Sequence, residues 1–309
     1  MTSSDRASCR LSNMFSRRSA LTSAALGSAG FATGPRLTDA LPDAAAAGIV
    51  VVPLIVSFGP LSFKAGTELP TPAFWDRMLA SDAPFPTTAA CSPGDFKAAY
   101  ERCFAEGADA VISIHVAHTL SGTIKSASVA RGLLPEREIH IVDSMSVSMA
   151  EGILCELAAR LAAEGTSAPE IVATLRDRIE DIKVMVVLDT LEYLKKGGRI
   201  SGTQAAIGTL LSVKPIIEIR DGLVETVEKV RTKGKARERV MELLCDRPME
   251  QVTFLHTVSP EIEAFRDEFV KRIPGGIAPE KVSIELVGPS VGPHLGPGAV
   301  GAVILYARS

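Results

Sequence analysis

The sequence predicts a two-lobed α/β fold. A mostly parallel sheet covered by helices is expected in the N-terminal lobe, and a mixed α/β arrangement with a β-hairpin in the C-terminal lobe. Apolar, β-branched runs alternate with helical patterns through the first half, which is typical of parallel sheets. Asp221-Gly222 separates two β-rich runs, a strong hairpin signal. The 309 residues suffice for about two domains.

Elements of the first half follow from the spacing of apolar residues. β-branched runs predict strands at 48–56, 111–117 and 138–142, the first of them preceded by a short Ala-rich helix. Apolar residues three and four positions apart predict helices at 71–79, 96–107, 124–134 and 150–164.

The second half mixes helices with the hairpin. Ser167 and Glu170 form a capping-box pattern that predicts a helix from there to about residue 180. Gly197-Gly198 is expected to end a short helix. Further helices are predicted at 205–211, 235–244 and 262–271, and strands at 184–188, 213–219, 223–230, 252–257, 282–286 and 302–306.

Residues 1–34 differ in composition from the rest, since they are rich in Ser, Ala, Arg and Gly and contain no strand-like run. Ser16-Arg17-Arg18 before a weakly apolar stretch resembles a twin-arginine export signal. A disordered extension or an upstream start site fits equally well, and a cytoplasmic location is the main expectation. We therefore predict an extension at 1–34, an N-terminal lobe at 35–165 and a C-terminal lobe at 166–309.

Composition argues against several classes of function. A net charge of -3 and only 5% aromatic residues do not favour nucleic-acid binding. The five cysteines include no C-x-x-C pair and the five histidines no H-x-x-x-H spacing, so we expect no metal site. No apolar run is long enough to span a membrane.

A candidate anion site follows the strand at 111–117. Ser121-Gly122-Thr123 joins it to the next helix, and free N–H groups and the helix dipole favour an anion at such a position. A carboxylate or phosphate is therefore the expected ligand. The alternative is that Ser121 only caps its helix, as serine often does.

Other candidate residues lie in loops. His294 stands between Gly-Pro and Leu-Gly-Pro-Gly, a stiff loop in which backbone can approach a ligand, although a local structural hydrogen bond is the alternative. Arg199 follows two glycines and offers a donor fork, or forms a surface ion pair. Thr88 falls near a strand end, where ligands of parallel sheets bind. Nucleotide and hydrolase sites are not indicated, because neither a P-loop nor a G-x-S-x-G motif is present.

Several motifs together resemble the DegV family, over roughly residues 38–309. They are Leu120-Ser121-Gly122-Thr123, Val142-Asp143-Ser144, LEYLKKGGRI at 191–200, Val213-Lys214-Pro215-Ile216, Lys229-Val230-Arg231 and HLGPGA at 294–299. Three departures stand out. No good strand precedes Thr38-Asp39-Ala40-Leu41-Pro42, so the first strand of the family is expected to be missing or replaced. Thr88-Ala89 stands where the family has Thr-Ser, and Ala117-His118 where it has Ser-Ser.

The resemblance implies a fatty-acid-binding subunit of a bacterial fatty acid kinase. A long-chain fatty acid would be the ligand, with no cofactor, and a separate kinase would phosphorylate its carboxylate to an acyl phosphate. By motif, Ser121 and His294 would bind the carboxylate, with Thr88 and Arg199 close by, and Arg231 would face the kinase. Transient membrane contact is compatible with this role. The competing hypothesis is a phosphotransferase-type enzyme acting through His294.

Overall fold

The computed structural model describes residues 19–23, 29–31, 48–200 and 213–308. Its strands are β1 (Ser19–Ser23), β2 (Ala29–Phe31), β3 (Ile49–Val51), β4 (Ile55–Phe58), β5 (Leu61–Lys64), β6 (Thr87–Ala89), β7 (Ala110–His115), β8 (Glu138–Asp143), β9 (Ile182–Val187), β10 (Lys214–Arg220), β11 (Leu223–Val230), β12 (Met249–His256), β13 (Val282–Val287) and β14 (Val300–Tyr306). Its α-helices are α1 (Thr71–Leu79), α2 (Pro93–Ala105), α3 (Thr123–Gly132), α4 (Met149–Ala163), α5 (Ala168–Arg178), α6 (Glu192–Lys196), α7 (Lys233–Leu244), α8 (Ile262–Val270) and α9 (Gly292–Leu295).

A parallel sheet forms the centre of the first lobe. Its four strands lie in the order β3-β1-β7-β8, and every neighbouring pair is parallel. All residues of β7 are buried because helices cover both faces. Val111 packs with α2 and α3, whereas Ile112 and Ile114 pack with α4 and α5, as the alternation of side chains along a strand requires. The prediction of a mostly parallel, helix-covered sheet is confirmed.

Helix α5 departs from the predicted lobe boundary at residue 165. Its apolar residues Ile171 and Leu175 pack against Ile112 and Ile114 of the first sheet. The helix belongs to the first lobe because its apolar stripe covers, beside α4, the same face of that sheet. The prediction that residues after 165 lie in the second lobe is therefore wrong for this helix.

The second lobe is built on a mixed seven-stranded sheet in the order β11-β10-β9-β14-β12-β13-β2. Strands β10 and β11 form the predicted hairpin, with Asp221 and Gly222 at φ values of 51° and 74°. Positive φ at both turn residues is the geometry that Asp-Gly favours. Helices α7 and α8 cover one face, and the start of α4 covers the other.

A small antiparallel sheet, in the order β5-β4-β6, packs with α1 beside the two lobes. The indole Nε1 of Trp75 donates to the carbonyl of Val287 at 2.7 Å, which joins α1 to the second lobe. The single strand predicted at 48–56 is wrong. It divides into β3 and β4, which lie in different sheets, because Pro53 between them lacks the N–H that a continuous strand needs.

The prediction that residues 1–34 lie outside the fold is also wrong in two places. Strand β1 lies between β3 and β7, and β2 pairs with β13. The first strand expected from the family resemblance is therefore replaced by a segment without a β-branched run. Backbone pairing with two neighbouring strands fixes its conformation, not side-chain propensity.

Some predictions concern residues outside the described ranges. These are the Ser16-Arg17-Arg18 segment, the Ala-rich helix before residue 48, the helix at 205–211 and Cys9. Within the described ranges, no helix combines the length and the apolar character needed to cross a membrane. The same ranges contain no cluster of three or more His, Cys, Asp or Glu side chains that could hold a metal ion.

Candidate functional site

A cavity of about 110 Å³ lies where the two lobes and the small sheet meet. A single water needs only about 10–15 Å³, so the space is large enough for an organic group. The polar residues that line it are Thr88, Ser121, Arg199, Ser290 and His294. Apolar residues of both lobes form most of the remaining wall, including Ile217, Ile219 and Val224 of the hairpin. The cavity therefore combines a polar group of side chains with an apolar surface.

The hydroxyl of Thr88 and the imidazole of His294 form the centre of the polar group. Oγ1 of Thr88, on β6, lies 3.0 Å from Nε2 of His294. His294 belongs to α9, a single helical turn in the segment that the sequence predicts as a loop. Hydrogen bonding with Thr88 does not by itself decide between the two interpretations of His294, but its place in the cavity wall favours ligand contact.

Gly197 supports the other edge of the imidazole. A Cβ atom at this position would overlap the His294 ring, at 2.8 Å from Cε1 and 3.2 Å from Cγ. The ring therefore rests directly on the backbone at the end of α6. Nδ1 is buried and has no hydrogen-bond partner among the described residues. The first glycine of the pair thus makes room for His294, besides ending its helix.

The charge state of His294 follows from this environment. Burial, and then the positive charge of Arg199, lower the pKa of His294 to about 4. The imidazole is therefore neutral at physiological pH in the ligand-free protein. A negatively charged group entering the cavity would oppose both effects.

Arg199 links the lobes at the edge of the cavity. Its Nε donates to the carbonyl of Leu120 at 3.2 Å, and its Nη1 donates to the carbonyl of Gly197 at 2.7 Å. Leu120 precedes Ser121 in the first lobe, so these bonds connect the two predicted ligand loops. A guanidinium has five N–H donors, and the others leave capacity for a ligand. Within the described ranges Arg199 forms no ion pair, contrary to its alternative interpretation.

The Ser121-Gly122-Thr123 turn contributes two of its three residues to the cavity. Ser121 and Gly122 line it, whereas the Thr123 side chain is fully buried away from the lining. Gly122 is the N-cap of α3, and the Thr123 N–H lies 3.4 Å from Oγ of Ser121. This hydrogen bond is long and therefore weak. Ser121 therefore supports the start of the helix only weakly, and its hydroxyl proton remains available for donation to a ligand.

The remaining predicted residue lies elsewhere. Arg231 follows β11 on the surface and does not line the cavity, consistent with a role outside the ligand site. Prediction from sequence missed Ser290 and the hairpin residues Ile217 and Ile219. A Ser four positions before His294 in a Gly-Pro-rich segment, and the alternation of isoleucines along β10, are signals that could have identified them.

Comparisons with known proteins agree with one another. The model of the DegV family, whose members are described as uncharacterised, matches residues 38–307. A DegV domain-containing protein from Caldanaerobacter subterraneus is 33% identical over 262 residues, covering 82% of this chain and 90% of the relative. The structure of a DegV family protein from Thermus thermophilus, described as fatty acid binding, is 30% identical with a TM-score of 0.81, covering 94% of this chain and all of the other. The fatty acid binding protein DegV from Bacillus subtilis is 28% identical with a TM-score of 0.80 and the same coverage.

Proposed function

Because the chain belongs to the DegV family, we propose that it binds a long-chain fatty acid in the cavity between its lobes. The observation that carries the proposal is one cavity with a linked polar group and an apolar wall. Thr88 bonds to His294, His294 rests on Gly197, and Arg199 joins Gly197 to the loop of Ser121. These contacts bring the hydroxyls, the imidazole and the guanidinium to one place, as carboxylate binding requires.

The chemistry of the polar group suits a carboxylate. A buried carboxylate must recover in hydrogen bonds what it loses in hydration. Hydroxyls of Thr88 and Ser121, the imidazole of His294 and the guanidinium of Arg199 are all donors, and bonds to an ionised acceptor are the strong ones. Gly122 has no side chain, so the backbone beside Ser121 is accessible from the cavity. Thr123 is not part of this proposed set, because its side chain lies outside the cavity lining.

We further propose that the chain is a non-catalytic subunit that presents its ligand to a separate kinase, which forms the acyl phosphate. Arg231 is exposed outside the cavity lining and follows a hairpin strand that lines the cavity, which supports a role in contacting a partner that acts on the ligand. The kinase step needs a nucleotide phosphodonor, which puts the proposed role in the cytoplasm. Transient membrane contact would supply the fatty acid.

The phosphotransferase alternative needs a reachable nitrogen on His294. One nitrogen bonds to Thr88, and the other is buried beside Gly197. Nε2, beside Thr88 in the cavity wall, is therefore the nitrogen that either a carboxylate or a phosphoryl group would have to reach, and an experiment must separate the two roles. Incubation with a phosphodonor followed by intact-mass measurement separates the two, because a stable gain of one phosphoryl group would support the enzyme.

Lipid content tests the binding proposal directly. Protein purified without detergent should carry long-chain fatty acid close to one per chain, released by denaturing extraction and identified by mass spectrometry. A heat-denatured and refolded sample without lipid provides the control for rebinding. If neither purified nor reloaded protein contains fatty acid, the proposal is wrong.

A further inference from the structure

The outer half of the β10–β11 hairpin covers the cavity, but little of the second sheet holds it. Ile219 and Val224 in this half line the cavity. The hydrogen-bonded ladder between β10 and β9 ends at the pair Glu218–Met185, while β10 continues to Arg220 and β11 is the edge strand. Beyond Glu218 the hairpin therefore pairs only with itself. An isolated two-stranded hairpin is marginally stable in water, so this half depends on other contacts.

A bend point and an anchor lie at the base of this half. The register of the hairpin shifts at Ile216/Ile217, where an irregularity interrupts the ladder. Such bulges bend and twist a strand locally. Nearby, the buried carboxylate of Glu218 pairs with Lys183 of β9 at 3.5 Å and with Arg220 at 2.6 Å. The irregularity and the ion pairs both lie where β10 still pairs with β9, so the base of the hairpin is held to the sheet and only the part beyond Glu218 is free of it.

The tip is held by the first lobe. The hydroxyl of Thr119 donates to the carbonyl of Gly222 across the two lobes. Gly222 is buried, although it is the turn residue of an edge hairpin. A Cβ at Gly222 would lie 2.8 Å from Oγ1 of Thr119, 3.2 Å from Cβ of Ala117 and 3.5 Å from Cε of Met145. Glycine is therefore required here by close contact as well as by its positive φ of 74°.

The loops that receive the tip also line the cavity. Leu120 and Ser121 follow Thr119, and Val147 lies in the loop that contains Met145. Met145 and Ser148 have φ values of 50° and 63°, unusual for residues with side chains. Backbone strain of this kind persists where surrounding contacts enforce it, and it concentrates at ligand sites and switches. The contact between hairpin tip and first lobe is thus built into the cavity wall.

We propose that the hairpin from Ile219 to Val224 is a lid, that the Thr119–Gly222 contact is its latch, and that a fatty acid enters and leaves the cavity when the latch opens. The inference rests on the proposed function and adds the route of ligand exchange. Opening needs the rupture of the Thr119–Gly222 hydrogen bond and of the packing of Ile219 and Val224 against the core of the second lobe, with no loss of β10–β9 pairing. Closure places Ile219 and Val224 against the ligand and shields the ligand from water.

A disulfide across the latch tests the lid. The pair Ala117→Cys and Gly222→Cys can be bridged after a small shift, because a Cβ at Gly222 would lie 3.2 Å from that of Ala117, just below the usual separation of about 3.5–4.5 Å in disulfides. Among the described native cysteines, Cys91, Cys103 and Cys155 are buried and compete little for the new thiols. The assay follows binding and release of cis-parinaric acid, a fluorescent long-chain fatty acid, before and after reduction. Gly222→Cys alone is the control for the strain of a side chain at this position.

The oxidised double variant should exchange the probe more slowly by about tenfold or more, and reductant should restore the rate of the single variant. Thr119→Val, which removes the donor and keeps the shape, should release the probe about two- to tenfold faster, whereas Thr119→Ser should resemble the native protein. Equal exchange rates in the oxidised and reduced forms would overturn the lid while leaving the proposed function intact. Failure of the native protein to bind the probe would overturn both.

Discussion

Gly197 offers the sharpest test of the carboxylate site, because a single methyl group there should displace His294. The backbone at Gly197 has φ −78° and ψ −5°, a conformation that alanine adopts without strain. The methyl group of Gly197→Ala would, however, overlap the imidazole ring. The ring must therefore move, and its 3.0 Å hydrogen bond with Thr88 cannot survive unchanged.

The expected size of the effect follows from the bond between the displaced imidazole and the carboxylate of the ligand. A hydrogen bond to a charged group contributes about 1.5–3 kcal/mol, which corresponds to roughly ten- to hundredfold in affinity. Gly197→Ala should weaken fatty acid binding by an amount in that range. Overpacking should also lower the free energy of unfolding by about 1–3 kcal/mol, since the cavity relieves only part of the overlap.

Gly198 provides the matched control. It has a φ of +68°, and a Cβ there would meet no atom within 4 Å. Alanine at this position is strained by about 1–2 kcal/mol in the backbone, but it leaves His294 in place. Both variants should therefore lose stability in urea unfolding, while only Gly197→Ala loses affinity in a fatty acid titration. Equal affinities in the two variants, whether reduced or native, would refute the assigned role of Gly197.

Further predictions concern the ligand, the partner and the pH dependence of stability. Ser121→Ala and His294→Ala should each weaken binding by roughly ten- to hundredfold, and the double variant by less than the product, because both contact one carboxylate; full additivity in the four titrations would argue for separate sites. Ligand binding should raise the pKa of His294 from about 4, since a carboxylate opposes the effects of burial and Arg199; NMR titration of the imidazole with and without ligand measures this, and an unchanged pKa would place the carboxylate elsewhere. Arg231→Ala should leave lipid binding intact and slow phosphoryl transfer by the kinase, more so at low salt; lost lipid binding would assign Arg231 to the cavity. Burial, and then the charge of Glu156, raise the pKa of the Glu285 carboxyl to about 9, and neither of its oxygens has a hydrogen-bond partner among the described residues. Its protonated form is therefore favoured by folding, so this contribution is fully present below about pH 4.5 and declines by up to roughly 1.4 kcal/mol per pH unit as the pH rises toward about 9. Glu285→Gln should remove that decline. Urea unfolding of both proteins from acidic to basic pH measures it, and an equal pH dependence of the two free energies of unfolding would show that Glu285 is not its cause.

The sequence predicted correctly those helices, strands and turns whose conformation depends on residues close together in the chain. The strand, Ser-Gly-Thr turn and helix at 110–132 were predictable because a buried β-branched run and a helical stripe have different periods. The capping box at Ser167 and Glu170 is present in the structure. The Asp-Gly hairpin formed as predicted because only one turn geometry suits that dipeptide between strands.

The features that the sequence did not predict depend on contacts between segments far apart in the chain. Strand β1 carries no pattern of its own, and its conformation depends on pairing with β3 and β7. The contact of Gly197 with His294 joins two motifs from different parts of the chain, so the sequence predicted only a helix end there. Thr123 was predicted to bind the ligand because it ends the Ser-Gly-Thr turn before a helix. Thr123 is instead the first residue of α3, and its side chain is fully buried outside the cavity lining.

The position of the site between lobes has a consequence for how binding and folding are coupled. Thr88 comes from the small sheet, Ser121 from the first lobe, and Arg199 and His294 from the second, so no single sheet contains the proposed carboxylate site. Arg199 connects two of these parts through the carbonyls of Leu120 and Gly197 even without ligand. A carboxylate that accepts hydrogen bonds from all three parts adds to this connection. Under the proposed function, a ligand that binds only the assembled state would stabilise that state by about 2.7 kcal/mol at a hundredfold excess over its dissociation constant. If both proposals hold, loss of the ligand would weaken the same lobe contacts that the hairpin tip must break to open the cavity.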